Sequence, residues 1–298
     1  MRFVRKSNLT DKPDDHFVSR NHSQIFLKVG GACMWISDHL CNDPNLSFLA
    51  EPDGLFAMPQ CEIIKDQKKI KVGRVPLEVG GERKNIYLKR YNAFSWQYRL
   101  GSLFAPSGAF RSWLGAGILM NAGFNTAKPV AAVERRSWAM LTRSFYLSEE
   151  IPAARTVDSY WKENLLPIGG VGGVRRRRDF LNGLARLFRS LHGVGIYHND
   201  LKDANIIFSS DNGKQDESFY LLDLEGIRRF RYLSRRRRLK NLVQLNRTMG
   251  NYLRSSEKLY GMKVYLGDTF FNRRKKRTWI NKILEESDRR DRRSLKKG

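Results

Sequence analysis

Apolar positions along the chain follow two periods. From Cys61 to Val75, two short β-branched runs flank a polar stretch centred on Lys65 to Lys69, which predicts a β-hairpin. After Gly80 and Gly81, the run Asn85 to Tyr91 predicts a third strand, and Pro129 to Val133 and Trp138 to Leu147 predict two more. One apolar helical segment, Trp113 to Gly123, lies among them. From Asp179 the period lengthens. Phe180, Leu184, Leu187, Phe188 and Leu191 recur three and four apart, a helix ended by Gly193 and Gly195. The glycine-rich stretch before it, Pro167 to Gly173, predicts a loop. Phe219 to Leu222 predicts another strand, and beyond about Leu239 the pattern is mostly helical.

This order predicts an α+β chain with a strand-rich N-lobe, a helical C-lobe and a cleft between them. The expected divisions are an irregular extension over 1–55, rich in turn signals, an N-lobe over 56–150, a C-lobe over 151–270 and a basic tail over 271–298.

Composition narrows the class. Of 298 residues 41% are apolar, enough for a buried core. Lys and Arg number 55 against 30 Asp and Glu, a net charge of +25. An excess of that size, gathered in runs, points to a polyanionic partner: nucleic acid, an anionic membrane or a phosphorylated glycolipid. A merely solubilising excess is the plainer alternative. Three cysteines, Cys33, Cys41 and Cys61, give neither a disulfide framework nor zinc spacing. No stretch approaches the roughly 18 apolar residues of a membrane span, and the N-terminus lacks the apolar core of a secretory signal. A reducing, cytoplasmic setting is expected.

The chemistry is concentrated in Tyr197-His-Asn-Asp-Leu-Lys-Asp-Ala-Asn205. It matches the protein-kinase catalytic-loop pattern H-x-D-L-x-x-x-N. One carboxylate must meet the attacking hydroxyl, and one amide oxygen five residues on must turn back to a magnesium ion. Asp200 suits the first role and Asn205 the second, while Lys202 suits charge neutralisation on the transferred phosphoryl group. The apolar run Phe219 to Leu222 delivers Asp223 to a loop, as in the D-F-G motif, where it would hold magnesium. The polar insertion between these parts, Ser209 to Ser218, suits a hairpin loop. Lys89, in Ile86-Tyr-Leu-Lys89, is placed like the lysine of V-A-I-K, which meets the nucleotide phosphates. A G-x-G-x-x-G loop is absent. The basic hairpin turn takes its place, with Lys65 and Lys68 as candidate phosphate contacts. No Asp or Glu occurs from Arg90 to Val133, so the glutamate that holds the strand lysine in protein kinases is missing from the expected helix. Each part alone would read as a surface turn or a solvated lysine. The order of the parts is what predicts a bilobal, protein-kinase-like fold using ATP and Mg2+.

The chain also resembles the bacterial lipopolysaccharide core kinases, over roughly Ile63 to Gly267. The resemblance rests on Ile86 to Tyr91, Arg111 to Trp113, Ala122 to Pro129, Leu191 to Asn205, Tyr220 to Glu225 and the block Arg235 to Asn246. It implies an ATP- and magnesium-dependent kinase of a heptose or Kdo hydroxyl, peripheral on the cytoplasmic face of the inner membrane. Asp200 is then the base, Asn205 and Asp223 the metal ligands, and Lys89 a phosphate contact. Many relatives carry a glutamate near Ser112 that this chain lacks. The resemblance also gives the charge a partner, the anionic glycolipid acceptor, which Arg235, Arg236, Arg237 and Arg238, and with them Arg175 to Arg178, would meet. Solvated helix ends are the alternative. The tail, with Arg273 to Arg277, Trp279, Ile280, Ile283 and Leu284, forms either a basic amphipathic helix on the membrane or a helix packed on its own domain. DNA is not expected. Two other functions stay open: a basic kinase of proteins, small molecules or RNA-associated substrates, and a non-catalytic scaffold of the same fold that binds anionic glycolipid.

Overall fold

The chain divides between Ile151 and Pro152 into two compact units. The computed structural model describes residues 24–296 except 30, 45, 94 and 211–216. In the first unit come β1 (Gln24–Val29), β2 (Ala32–Ser37), α1 (Leu46–Ala50), β3 (Glu62–Asp66), β4 (Ile70–Val79), β5 (Glu82–Asn92), α2 (Trp96–Gly101), α3 (Gly108–Asn121), β6 (Asn125–Thr126), β7 (Pro129–Ser137) and β8 (Met140–Glu149). Seven strands make one antiparallel sheet in the order β1-β2-β7-β8-β5-β4-β3. Alternation along the strands puts Met34, Ile36, Val75, Ile86, Leu88, Val133, Phe145 and Leu147 on one face, where they pack with Leu40, Leu49 and Leu55. Helix α3 takes the other face. Its Phe110 ring lies against Trp35 (centroids 4.4 Å apart) and its Ser112 hydroxyl is 2.9 Å from that of Tyr91. Ser107 caps the helix, accepting from the Phe110 amide at 3.0 Å.

Two expectations are corrected here. Residues 24–55 are not an irregular extension. Two strands and helix α1 form there, because Ala32, Met34 and Ile36 supply a period-two core face that the nearby turn signals obscure. Residues 1–23 of that segment lie outside the described residues. Trp138 does not begin a strand. With Ala139 it makes the β7–β8 turn, both residues at positive φ (51° and 63°), the backbone hand that matches strand twist in a two-residue hairpin.

The second unit holds β9 (Ala154–Thr156), α4 (Val157–Tyr160), α5 (Gly170–Gly193), β10 (Ile196–His198), β11 (Ile206–Ser210), β12 (Glu217–Leu221), β13 (Ile227–Arg229), α6 (Arg235–Thr248), α7 (Ser255–Leu266) and α8 (Arg273–Leu295). β11 pairs with both β9 and β12, and β10 pairs with β13, all antiparallel. The Ser209 to Ser218 insertion begins and ends in the β11–β12 ladder, Ser210 opposite Glu217; its expected loop, 211–216, lies outside the described residues. Phe180, Leu184, Phe188 and Leu191 form the buried side of α5.

Helix α5 begins at Gly170, so most of the expected glycine loop is helical. The cause is tertiary. Buried Arg177 donates from Nη1 to the carbonyls of Leu165 (3.2 Å) and Ile168 (3.0 Å), and from Nε to Glu257 (3.0 Å). Gly173 fits because a Cβ there would meet the Ile168 carbonyl oxygen at 2.0 Å. One arginine of the Arg175 to Arg178 run is therefore a core ion pair, and Arg178 lies over the Tyr260 ring at 5.7 Å. The tail is α8, packed on its own unit. Ile283 is buried, and Asn246 and Arg247 of α6 bond Ser287 (3.0 Å) and Asp291 (2.6 Å). Ile280 and Leu284 face a cavity of about 320 Å³ shared with Leu184, Phe188, Leu245 and Met262. Among the described residues no helix is long and apolar enough to cross a membrane.

Candidate active site

The catalytic-loop residues sit between β10 and β11. His198, at the end of β10, is fully buried and organises the loop. Its Nδ1 accepts from the Asp200 amide at 3.2 Å, so Nε2 carries the proton and donates to the Leu222 carbonyl at 2.8 Å. Burial holds the imidazole below its ordinary pKa, which keeps it neutral and suited to this pair of bonds. One ring thus ties the Asp200 loop to the residue preceding Asp223.

Asp200, Lys202 and Asn205 converge. Lys202 Nζ is 2.8 Å from Asp200 Oδ2. Asn205 donates from Nδ2 to the Asp200 carbonyl at 2.8 Å and reaches its Oδ2 at 3.4 Å. A carbonyl only accepts, so this bond fixes the amide's orientation and turns Oδ1 away from the loop. The Leu222 amide donates to the Asn205 carbonyl at 2.9 Å, which sets Asp223 beside Asn205. Asp223 itself is left-handed (φ 57°, ψ 57°), a conformation aspartate tolerates, and starts a single helical turn, Leu224 to Gly226. Leu224 is buried where the D-F-G motif has phenylalanine. At Gly226 a Cβ would come within 2.8 Å of the Asn199 Cβ, and its carbonyl accepts from the Asn199 amide at 3.1 Å.

Sequence reasoning missed the support behind this loop. Four side chains on one side of α6 reach it. Lys240 bonds Asn199 Oδ1 (2.9 Å), Asn241 bonds the His198 carbonyl (2.5 Å), Gln244 bonds the Asn199 carbonyl (2.7 Å), and the Thr248 hydroxyl accepts from the Asp203 amide (3.4 Å). Buried Asp203 also accepts from Tyr252 at 3.2 Å. Burial and that carboxylate push the Tyr252 hydroxyl's pKa up. The polar residues at 241, 244 and 248, three and four apart on one side of the helix, were the available signal.

Of the four arginines opening α6, Arg235 and Arg236 are exposed and Arg237 and Arg238 half-buried. Arg238 donates to the His192 carbonyl at 3.2 Å, Arg237 lies over the Phe230 ring at 3.9 Å, and Arg235 lies over Trp279 at 5.0 Å. The run is therefore split between packing and surface, and Arg236 has the freest setting of the four.

In the first unit, Lys89 lies on the α3 face of the sheet, its Nζ 5.0 Å from the centre of the Tyr91 ring. Tyr91 is bonded to Ser112 of α3, which carries no carboxylate. Lys65 and Lys68 are exposed beside the β3–β4 turn, which is closed by Gln67 and Ile70.

The donor set fits magnesium held mainly by nucleotide phosphates and water, which asks the protein for only one or two hard oxygens. The carboxylate of Asp223 and the outward-turned Oδ1 of Asn205 are the candidates for them. Among the described residues no group of three His, Cys, Asp or Glu forms a metal cage.

The lipopolysaccharide kinase (Kdo/WaaP) family model matches residues 76–263, from β4 into α7, and so takes in Lys89, the whole loop and the α6 support. Among solved structures the chain is similar to WaaP in complex with acyl carrier protein. Identity is 19% and the TM-score 0.60, over 83% of this chain and 96% of that one, a likeness of fold. No protein with curated annotation matches in sequence. With well over half its length matched, the chain belongs to the lipopolysaccharide kinase (Kdo/WaaP) family and is an ATP-dependent phosphotransferase acting on a sugar hydroxyl.

Proposed function

We propose that the chain transfers the γ-phosphoryl group of ATP to a heptose or Kdo hydroxyl of the lipopolysaccharide inner core. Asp200 receives the proton of the attacking hydroxyl as the new O–P bond forms, and the bond from the γ-phosphorus to the bridging oxygen breaks to release ADP. Lys202 brings a positive charge to within 2.8 Å of that carboxylate, beside the reacting oxygens. Asn205 and Asp223 would hold magnesium, whose contribution is to neutralise charge on the phosphates. Lys89, with Lys65 and Lys68 from the hairpin turn, meets the remaining phosphate oxygens. The exposed arginines at the start of α6 meet acceptor phosphates, and the work is done at the cytoplasmic face of the inner membrane.

The observation that carries this reading is the His198 ring, which bonds the Asp200 amide and the Leu222 carbonyl at once. It couples a candidate base, in the β10–β11 loop, to a metal-ligand candidate in the segment that follows β12. Mass spectrometry of purified core oligosaccharide after incubation with enzyme, ATP and magnesium tests it. Gain of one phosphate, placed by fragmentation on heptose or Kdo, is expected. An unchanged core alongside phosphorylation of an unrelated acceptor would contradict it.

A further inference from the structure

We propose that the first unit docks on an anionic bilayer through an aromatic patch made by Trp96, Leu100, Phe104 and Trp138; this rests on the reading of the acceptor as a membrane glycolipid.

Trp138, Phe104 and Trp96 are the most exposed large apolar side chains among the described residues of the unit, at 93%, 91% and 71%. They are not scattered. Arg136 Nη1 donates both to the Ser102 carbonyl (3.2 Å) and to the Ala139 carbonyl (3.0 Å), and the Leu141 amide donates to the Ser102 hydroxyl (2.9 Å). These bonds hold the segment that ends in Phe104 against the turn that carries Trp138. On α2, Trp96 and Leu100 are four residues apart and share a side, and Leu103, just past the helix end, is exposed as well. Isolated exposed apolar residues need no explanation, but a contiguous group of this kind does.

The residue types select the occupant. Tryptophan and phenylalanine beside polar backbone suit the interfacial layer of a bilayer, where a ring is half in hydrocarbon and half among headgroups. Charge agrees. The stretch from Arg90 to Val133 contains Arg90, Arg99, Arg111 and Lys128 and no carboxylate. The next acid, Glu134, is buried and paired with Arg136 at 2.9 Å. Nothing on this stretch repels an anionic headgroup. The other basic amphipathic element, α8, has its apolar side engaged with its own unit.

The test uses the full chain and vesicles of phosphatidylcholine with or without phosphatidylglycerol. Co-sedimentation should require the anionic lipid, and lipids brominated along the acyl chain should quench part of the tryptophan fluorescence. Phe104→Ser combined with Trp138→Asn, an exchange the left-handed turn accepts, should weaken vesicle binding by at least about tenfold. The melting temperature and turnover on deacylated, water-soluble core should be unchanged. Equal vesicle binding by parent and variant, or no quenching by brominated lipid, overturns the patch. So does a parent dimer in light scattering that the substitutions dissolve without affecting vesicle binding, since the patch then meets a second copy. Failure to phosphorylate the deacylated core counts against the acceptor reading alone, because the vesicle result decides the patch by itself.

Discussion

Asn241 donates from its Nδ2 to the carbonyl oxygen of His198 at 2.5 Å, joining α6 to the strand that opens the Asp200 loop. The bond is one link in a buried chain. Tyr265 donates to His192 Nδ1 (2.8 Å), His192 Nε2 donates to Asn241 Oδ1 (3.1 Å), and Asn241 passes the connection to His198 and thence to Leu222. Every hydrogen in it has one place to go, because the two terminal carbonyls only accept.

Asn241→Leu should therefore do more than loosen α6. It leaves the His192 ring N–H and the His198 carbonyl without their partner in a buried setting, at a cost of about 1–3 kcal/mol for each stranded group. Urea unfolding should show that loss. The kinetics should show kcat falling while the KM for ATP is largely kept, since the loop moves and the first unit is untouched. Parallel changes in kcat and KM would mean that Asn241 serves stability alone.

The same chain predicts a pH dependence of stability. Burial depresses the His192 pKa from 6.5 to about 4, opposed in part by its bond to Asn241. The unfolded chain binds a proton near pH 6.5 that the folded chain refuses until pH 4. Stability is thus fully present above 6.5 and is lost as pH falls toward 4, by roughly 3 kcal/mol for this one group. His198, also depressed, adds in the same direction. Unfolding midpoints from pH 7 to pH 4 should fall more steeply for the parent than for His192→Gln, which has no proton to gain. Equal slopes would contradict the assignment.

What was legible in the sequence was whatever local spacing controls. The β3–β4 hairpin, the α5 stripe and the five-residue step from Asp200 to Asn205 each follow from short-range pattern, and each is found in the structure. What failed depended on distant partners. The Pro167 to Gly173 stretch looks like a loop until Arg177 is seen bonding Leu165, Ile168 and Glu257. The β2 strand is hidden because its alternation, Ala32, Met34 and Ile36, is short and surrounded by turn residues, and only pairing with β7 gives it a sheet. Charge alone said least at Arg175 to Arg178 and Arg235 to Arg238, where packing divides each run. A run of like residues in sequence splits, once helical, into inward and outward members.

That split sharpens the test of the acceptor surface. Arg238 and Arg237 are packed, so replacing all four arginines would mix stability with binding. Arg235→Gln with Arg236→Gln removes the two exposed guanidinium groups. The KM for the anionic acceptor should rise, the KM for ATP should stay, and the acceptor's salt dependence should flatten, because such attraction is screened within a Debye length of about 8 Å near physiological salt. An unchanged salt slope in the variant would place acceptor recognition elsewhere.

The most direct measurement is turnover of Asp200→Asn on lipopolysaccharide core with ATP and magnesium, alongside nucleotide binding by the same protein. The substitution keeps the size and the backbone bonds to His198 and Asn205 but removes the carboxylate proposed to take the hydroxyl proton. Transfer should fall by about 10² to 10⁴, with nucleotide affinity and melting temperature close to the parent's. Turnover near the parent's in that variant would contradict the account of this loop as the catalytic centre.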